Sequence, residues 1–212
     1  MGPLHESSSN HLPAAVKDPQ LVWRRRRQLA DAAVKLFIRN GFHKTTIRQI
    51  AAASGLAIGT IYDYIRTKED LLYLVCQAIH QEMHQRLASR ITRQGVGAKD
   101  LETAIKIYFS VCDQMSDYIL LIYQETKSLP PEHKRLVMDH ELEITQVFSD
   151  LLSRGVNDYS IRPLAPHQQQ LMAHNIMVLG HMWAFRRWAL GRLFSLEEYT
   201  RLQVELIMGQ LI

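Results

Sequence analysis

Thr46-Ile47-Arg48-Gln49-Ile50-Ala51-Ala52-Ala53-Ser54-Gly55-Leu56-Ala57-Ile58-Gly59-Thr60-Ile61-Tyr62-Asp63-Tyr64-Ile65-Arg66-Thr67-Lys68 is the stretch whose reading decides the fold. It reads as two short helices joined by a tight turn. Thr46 and Gln49 stand three apart, the spacing at which a threonine caps a helix and a glutamine reaches back to close a capping box. Ile47, Ile50 and Ala51 recur at helical spacing. Gly55 takes a left-handed backbone at little cost, so it ends the first helix and turns the chain, and Leu56 can plug that turn into the core. The second helix, Ile58 to Ile65, buries Ile61 and Ile65. Gly59, Thr60, Tyr62 and Tyr64 are then left on its other faces. A short helix carrying small and hydroxyl-bearing groups outward suits the major groove of DNA. The same spacing also suits plain helix packing, and Tyr62 and Tyr64 suit packed aromatics as well as contact residues.

Working outward, the preceding run Phe37-Ile38-Arg39-Asn40-Gly41-Phe42-His43-Lys44-Thr45 ends one helix. The following run, Thr67-Lys68-Glu69-Asp70-Leu71-Leu72, starts another, with Thr67 and Asp70 as an approximate capping box. Residues 24 to 75 resemble the DNA-binding head of the TetR family of bacterial transcriptional regulators. The resemblance is carried by Leu36-Phe37 with Asn40-Gly41-Phe42, by Thr45-Thr46-Ile47-Arg48-Gln49-Ile50-Ala51, and by Ser54-Gly55-Leu56. It is completed by Gly59-Thr60-Ile61-Tyr62 with Tyr64-Ile65 and Thr67-Lys68-Glu69-Asp70-Leu71-Leu72. It implies that Thr46, Arg48, Gly59, Thr60, Tyr62, Tyr64 and Lys68 contact DNA. The hydroxyls of Thr46 and Tyr62 would bond phosphate, and Lys68 at a helix start would aim at the sugar-phosphate backbone. Arg48 would reach phosphate or guanine, Gly59 would let the backbone approach closely, and Thr60 would meet a thymine methyl. Asp63 repels phosphate unless it accepts a bond from cytosine N4 or pairs with Arg48 or Arg66.

The charge distribution agrees. From Lys17 to Lys68 there are eleven Lys or Arg against three Asp or Glu, a balance of +8; from Glu69 to Ile212 there are fourteen against seventeen, a balance of −3. A basic head on a mildly acidic body points to a polyanion at the head alone. Arg24 to Arg27 open the first helix, where cations oppose the helix dipole, a placement that phosphate would compensate.

The chain has 212 residues, 47% of them hydrophobic, with no persistent strand-like alternation, so the expected class is all-α. Residues 1–20 show no periodicity and read as a disordered arm. Residues 21–67 form the helix-turn-helix domain, and 68–212 form a six-helix ligand-binding and dimerisation body. Helices are expected from Leu21 to Asn40, Lys68 to Arg93, Asp100 to Met115, Asp117 to Lys127, Glu132 to Gly155, and Pro166 to Leu190. A last one starts at the Ser195/Glu198 capping box and runs nearly to Ile212. That makes three in the head and six in the body, an architecture the TetR resemblance also implies.

Leu171, Ile176, Val178, Leu179 and Met182 on the penultimate helix, with Leu196, Tyr199, Leu202, Leu206, Ile207 and Leu211 on the last, exceed what a small body needs. They are expected to pair with a second copy in a four-helix bundle, because one head makes few contacts and two heads read a palindrome. His167, His174 and His181 recur every seven residues, whereas metal ligands on one helix face stand three or four apart. A polar seam near the dimer axis is expected rather than a metal site.

The candidate ligand-binding residues are Tyr108, Tyr123, Glu125, Trp183, Arg186 and Arg187. Trp183-Ala184-Phe185-Arg186-Arg187-Trp188-Ala189-Leu190, followed by Phe194-Ser195-Leu196-Glu197-Glu198-Tyr199, looks like the end of fatty-acid-responsive TetR-like regulators. That likeness implies an acyl-CoA effector with Arg186 and Arg187 on its phosphates. Another lipophilic effector fits as well, and Glu125 suits a cationic one if it is buried without a partner. Large aromatic groups at helical spacing also suit ordinary core.

No Gly-rich phosphate loop, nucleophile elbow or paired acidic motif occurs, so no catalytic residue, cofactor or enzymatic activity is expected. Cys76 and Cys112 form no metal or redox pair and fall in apolar runs, which points to a reduced cytoplasmic protein. No apolar run is long enough to span a bilayer, and Met1 to Asn10 does not read as a signal peptide. The expected function is a homodimeric, ligand-responsive repressor bound to a double-stranded DNA operator. A DNA-binding protein without an effector and a helical protein-interaction adaptor are the alternatives.

Overall fold

The structure, a computed structural model, describes residues 18–88 and 95–212. The disordered-arm expectation for residues 1–20 falls almost wholly outside that range. Among the described residues there are nine α-helices and no strand. They are α1 (Pro19–Asn40), α2 (Ile47–Ser54), α3 (Ile58–Tyr62), α4 (Lys68–Ala88), α5 (Gly97–Gln114), α6 (Ser116–Glu125), α7 (Pro131–Asn157), α8 (Pro166–Leu190) and α9 (Leu196–Met208), with a 3₁₀ turn at Thr126–Ser128. The expected end of α4 at Arg93 lies outside the described residues. None of these helices is long and apolar enough to cross a membrane.

The helices divide into two compact units. One takes the described residues up to Ile79 together with Leu121–Val137; the other takes His80–Leu120 with Met138–Ile212. This division does not follow the expected boundary at residue 67. The first half of α4, the end of α6 and the start of α7 pack with the head, because their apolar residues Leu71, Leu72, Ile122 and Val137 are buried there, with Leu129 from the α6–α7 connection.

In the first unit, α1 begins two residues before the expected Leu21. The Asp18 carboxylate accepts from the backbone N–H of Gln20 (3.0 Å) and of Leu21 (3.2 Å), and Pro19 takes the first helical position. Acidic cap followed by proline is a strong start signal that the reading from apolar periodicity passed over. Gly41 ends α1 at φ 83°, with its N–H on the Phe37 carbonyl. Leu29, Ala33, Leu36 and Phe37 form the buried face, and Phe42 packs edge-on against Phe37 at 5.2 Å.

In the second unit, α5 packs on α8 and α9. The close approach of α5 to α8 is made possible by Gly180. A Cβ there would stand 2.6 Å from Tyr108 Cε1 and 3.0 Å from Cys112 Sγ. Cys112 and, in the first unit, Cys76 are free thiols sealed in the core, and burial pushes both up to about 12. They behave as small apolar residues.

His181 departs from the expected polar seam: it is buried in the core of this unit, its Nε2 2.9 Å from the Tyr108 hydroxyl. His167 and His174 are exposed. Positions seven apart drift by about 20° around a straight helix, so the third member of the series turns inward. At the chain end the Ser195/Glu198 capping box forms as expected, but α9 stops at Met208. The carbonyls of Gln210 and Leu211 instead accept from Arg162 Nε (2.6 Å) and N (2.8 Å).

Candidate nucleic-acid interface

The geometry of the two-helix stretch follows from its caps. The Thr46 hydroxyl accepts from Gln49 N at 3.3 Å, and Gln49 Oε1 accepts from Thr46 N at 2.8 Å. This reciprocal box holds the start of α2. Gly55 is left-handed (φ 69°, ψ 19°), and the Leu56 N–H returns to the Ala51 carbonyl. Leu56 itself is half-buried. The next helix is shorter than the expected Ile58 to Ile65. It ends at Tyr62, where Asp63 N and Tyr64 N bond three residues back to Thr60 and Ile61. That tightening at a helix end satisfies carbonyls which would otherwise stay open.

Arg48, Gly59 and Tyr62 are exposed as expected, Tyr62 at 53%, and Thr60 is half-buried. A Cβ added at Gly59 would meet nothing within 4 Å. Nothing inside the chain therefore demands glycine at this position.

Thr46 is exposed but engaged: its hydroxyl donates to Gln49 Oε1 at 3.1 Å, so a bond to phosphate requires that one to be exchanged. Tyr64 is 4% exposed and sits in the core, where its carbonyl accepts from Arg26 Nε at 3.2 Å. The packed-aromatic reading describes it, because the turn after Tyr62 rotates it inward. Asp63 forms no ion pair with Arg48 or Arg66 among the described residues.

Lys68 departs most from expectation. Its Nζ donates to the carbonyls of Phe42 (3.0 Å), His43 (3.3 Å) and Thr45 (3.2 Å), and lies 4.4 Å from the centre of the Phe42 ring. An ammonium has three donors, so all three are used to clamp the α1–α2 connection. The next turn is held similarly. Asp70 Oδ2 accepts from Arg66 N (2.8 Å) and Thr67 N (3.0 Å), and Thr67 Oγ1 accepts from Asp70 N (3.0 Å). This is the capping box expected there.

The four consecutive arginines separate by role. Arg26 is buried, its pKa lowered by desolvation against the partly offsetting charge of Asp70. Arg24, Arg27, Lys35 and Arg39 line one side of α1, where a cleft of about 640 Å³ runs beside Ala53 and Ser54 of α2. Trp23, 49% exposed, stands at its end, and Arg27 pairs with Asp31 at 3.1 Å. Lys35 and Arg39 were not singled out from sequence. Their four-residue spacing along a helix, continuing the Arg27–Asp31 step, was the available signal.

The six candidate ligand residues do not come together in either unit. Tyr123 and Glu125 belong to the first, and Tyr108, Trp183, Arg186 and Arg187 to the second. Glu125 is not partnerless: its Oε2 lies 3.8 Å from His43 Nε2 and accepts from Ser128 Oγ at 3.4 Å. The condition for a cationic ligand is therefore absent. Tyr108 is fully buried and bonded to His181, while Trp183 Nε1 donates to Asp113 Oδ1 at 2.8 Å. Both are satisfied core groups. Arg187 Nη2 faces the same Asp113 oxygen at 3.5 Å, and Arg186, where α8 leaves helical geometry (φ −112°, ψ 15°), stacks over Trp188 at 5.5 Å. Both guanidinium groups are exposed.

Comparison with known proteins agrees with this geometry. Residues 29–74 match the family described as bacterial regulatory proteins, tetR family, and residues 95–187 match the tetracyclin repressor-like C-terminal domain. The HTH-type transcriptional regulator HbdR of Aromatoleum sp. (strain CIB) is 32% identical over 194 residues, which span 92% of this chain and 83% of that one. Among solved structures, the FadR regulator of Bacillus subtilis in complex with stearoyl-CoA superposes with a TM-score of 0.70 at 22% identity, covering 87% of this chain and 98% of that one. AibR in complex with isovaleryl coenzyme A and operator DNA gives 0.67 at 17% identity, with 86% and 97% covered. At these identities the two structures speak for the fold alone.

Proposed function

The chain belongs to the TetR family of DNA-binding transcriptional regulators, not to an enzyme family, and on that premise we propose that it is a homodimeric repressor released from its operator by a lipophilic, acyl-CoA-like effector. In this reading α1–α3 read DNA and the remaining helices serve dimerisation and ligand binding. The observation that carries the DNA contact is the exposed face Arg48, Gly59 and Tyr62, held rigid by the Thr46 box, the left-handed Gly55 and the Lys68 clamp. Arg48 reaches phosphate or guanine, and the Tyr62 hydroxyl bonds phosphate. Thr60 meets a thymine methyl at the edge of this face. Asp63, unpaired with Arg48 or Arg66, is free to accept from cytosine N4. The basic cleft along α1 adds to the field that draws the head to a polyanion.

A hydrogen bond to a charged group contributes about 1.5–3 kcal/mol, so Tyr62→Ala should weaken operator binding about tenfold or more. Circular dichroism should be unchanged. Undiminished affinity in a mobility shift removes Tyr62 from the interface.

Dimerisation is supported by Leu171 and Val178 on α8 and Leu206 on α9, large apolar side chains left exposed, beside half-buried Leu179, Met182 and Leu202. Ile176, Tyr199, Ile207 and Leu211, expected at the same face, serve the core of one chain instead. Val178→Asp should convert a dimer into a folded monomer at micromolar concentration in analytical ultracentrifugation. A variant that still sediments as a dimer would move the interface elsewhere.

The effector class is supported by the acyl-CoA complexes of the structural relatives and by the exposed Arg186 and Arg187, which suit the phosphates of a coenzyme A thioester. Release requires only a modest coupling, about 1–3 kcal/mol in typical allosteric systems. The direct test is a mobility shift on the promoter beside the protein's own gene, titrated with acyl-CoA thioesters. A complex that every thioester leaves intact counts against the effector.

A further inference from the structure

Tyr73 on α4 and His133 in the first turn of α7 stack face to face, ring centres 4.5 Å apart and planes 16° from parallel. Both are sealed from solvent, at 1% and 8% exposure, and both belong to the compact unit that contains the helix-turn-helix. The Tyr73 hydroxyl and His133 Nδ1 are buried without a hydrogen-bond partner. Buried polar atoms are almost always bonded, and an exception calls for a reason. Among the described residues the Tyr108 and Tyr199 hydroxyls and Trp183 Nε1 have partners, whereas His140 Nδ1 is open in the same way. Tyr73 is the buried tyrosine whose hydroxyl stands open, and it faces a second open atom across the stack.

We propose that Tyr73 and His133 are the polar end of the effector site and bind the acyl oxygen of the ligand, an inference that rests on the effector-responsive reading above. The stack sets the phenol and the imidazole side by side, 4.5 Å between ring centres, so that both open atoms belong to one local pair of rings. Burial pushes Tyr73 up to about 12, which keeps its hydroxyl protonated and a donor. The ligand atom that satisfies this donor is an acceptor. His133 supplies a second donor in the tautomer with its proton on Nδ1. Two donors on neighbouring stacked rings suit the oxygen of a carbonyl or carboxylate. Leu72, Cys76 and Val137, on the same helices, and Leu129, just ahead of α7, are buried in the same unit and suit an apolar remainder.

The pair also stands where an occupant can act. Tyr73 follows Asp70 by one turn of α4, and Asp70 ties down the backbone of Arg66 and Thr67 just beyond α3. A ligand that pulls on Tyr73 thus bears on the foot of the DNA-reading element.

The test uses full-length protein and Tyr73→Phe, which keeps the ring and its stack and removes only the hydroxyl. In the ligand-free protein, the thermal midpoint of Tyr73→Phe should rise by about 2–4 °C, as expected when an unsatisfied buried donor is deleted. A lowered midpoint, or a failure to fold, means that the hydroxyl has a structural partner and overturns the proposal. Isovaleryl-CoA, stearoyl-CoA and the two corresponding free acids then serve as probes of operator release. At least one should release the wild type, and Tyr73→Phe should need at least tenfold more of it, with operator affinity in the absence of probe unchanged. Equal sensitivity of the two proteins overturns the proposal. Thioester against free acid distinguishes the two sources of the oxygen. A wild type that binds operator but answers none of the four probes overturns the acyl-oxygen assignment, while the repressor reading fails only if no operator is bound.

Discussion

Between pH 6.5 and pH 4 the folded protein is expected to lose about 3 kcal/mol of stability through His181 alone. Desolvation lowers the His181 pKa from 6.5 to about 4, and each tenfold weakening of proton binding corresponds to about 1.4 kcal/mol. The sign follows from proton counts. Above pH 6.5 both folded and unfolded chains hold the imidazole neutral, and the stability is fully present. Between 6.5 and 4 the unfolded chain binds a proton that the folded chain refuses, so stability falls as pH falls. Below 4 both states are protonated and the loss is complete. The structural cause is the site: His181 lies in the core beside the Tyr108 hydroxyl and the Phe185 ring, where burial opposes the charged imidazolium.

Urea unfolding at intervals from pH 7 to 5 checks this in a range where ordinary carboxylates stay ionised. Stability should fall in that range, and His181→Phe should flatten the dependence, leaving Tyr108 its bond to the Met177 carbonyl. An unchanged slope in the variant would mean that His181 is protonated in the folded state.

Lys68→Met should destabilise the protein by about 2–3 kcal/mol while leaving the salt dependence of operator binding unchanged. The magnitude comes from three bonds of one ammonium to the Phe42, His43 and Thr45 carbonyls. A hydrogen bond to a charged group contributes about 1.5–3 kcal/mol, and sharing one cation among three acceptors at a half-exposed site keeps the total well below three times that. Methionine keeps the aliphatic stem and removes the donors. The cation sits at the start of α4, where the helix dipole disfavours it, so its retention there is explained by the carbonyls.

The salt arm separates this role from a phosphate contact. Each lost contact would flatten the plot of log affinity against log salt by about 0.9. A parallel plot with a lowered unfolding midpoint supports the clamp. A flattened plot with normal stability would return Lys68 to the DNA face.

Much of the fold was legible before any tertiary structure. The helix-turn-helix, its Thr46/Gln49 and Thr67/Asp70 boxes, the Gly41 and Gly55 stops and all nine helices rest on interactions between residues three or four apart. Those interactions are written in the order of residues, so periodicity and capping chemistry recover them. The exposure of Arg48, Gly59 and Tyr62 was legible for the same reason.

What could not be read in advance depended on distance in space. Nothing around Lys68 in sequence indicates that its ammonium would meet carbonyls 23 to 26 residues earlier. The heptad spacing of His167, His174 and His181 put all three on one face, and packing against Tyr108 separated the last from the first two. Tyr108 and Trp183 have the composition of a ligand pocket, but their polar atoms find partners 70 or more residues away along the chain.

By itself, then, the order of residues determined the all-helical class, the position of each helix and the face that α2 and α3 turn outward, because local hydrogen bonds and apolar spacing need no distant partner. Only the tertiary structure decided which charged and aromatic groups are used up inside. It brought Lys68 onto the α1–α2 connection, sealed His181 and Tyr108 together, and left Tyr73 and His133 stacked with open hydrogen-bonding atoms. Burial and pairing depend on groups remote in the chain, and these long-range contacts separate a side chain that holds the fold from one available to a partner.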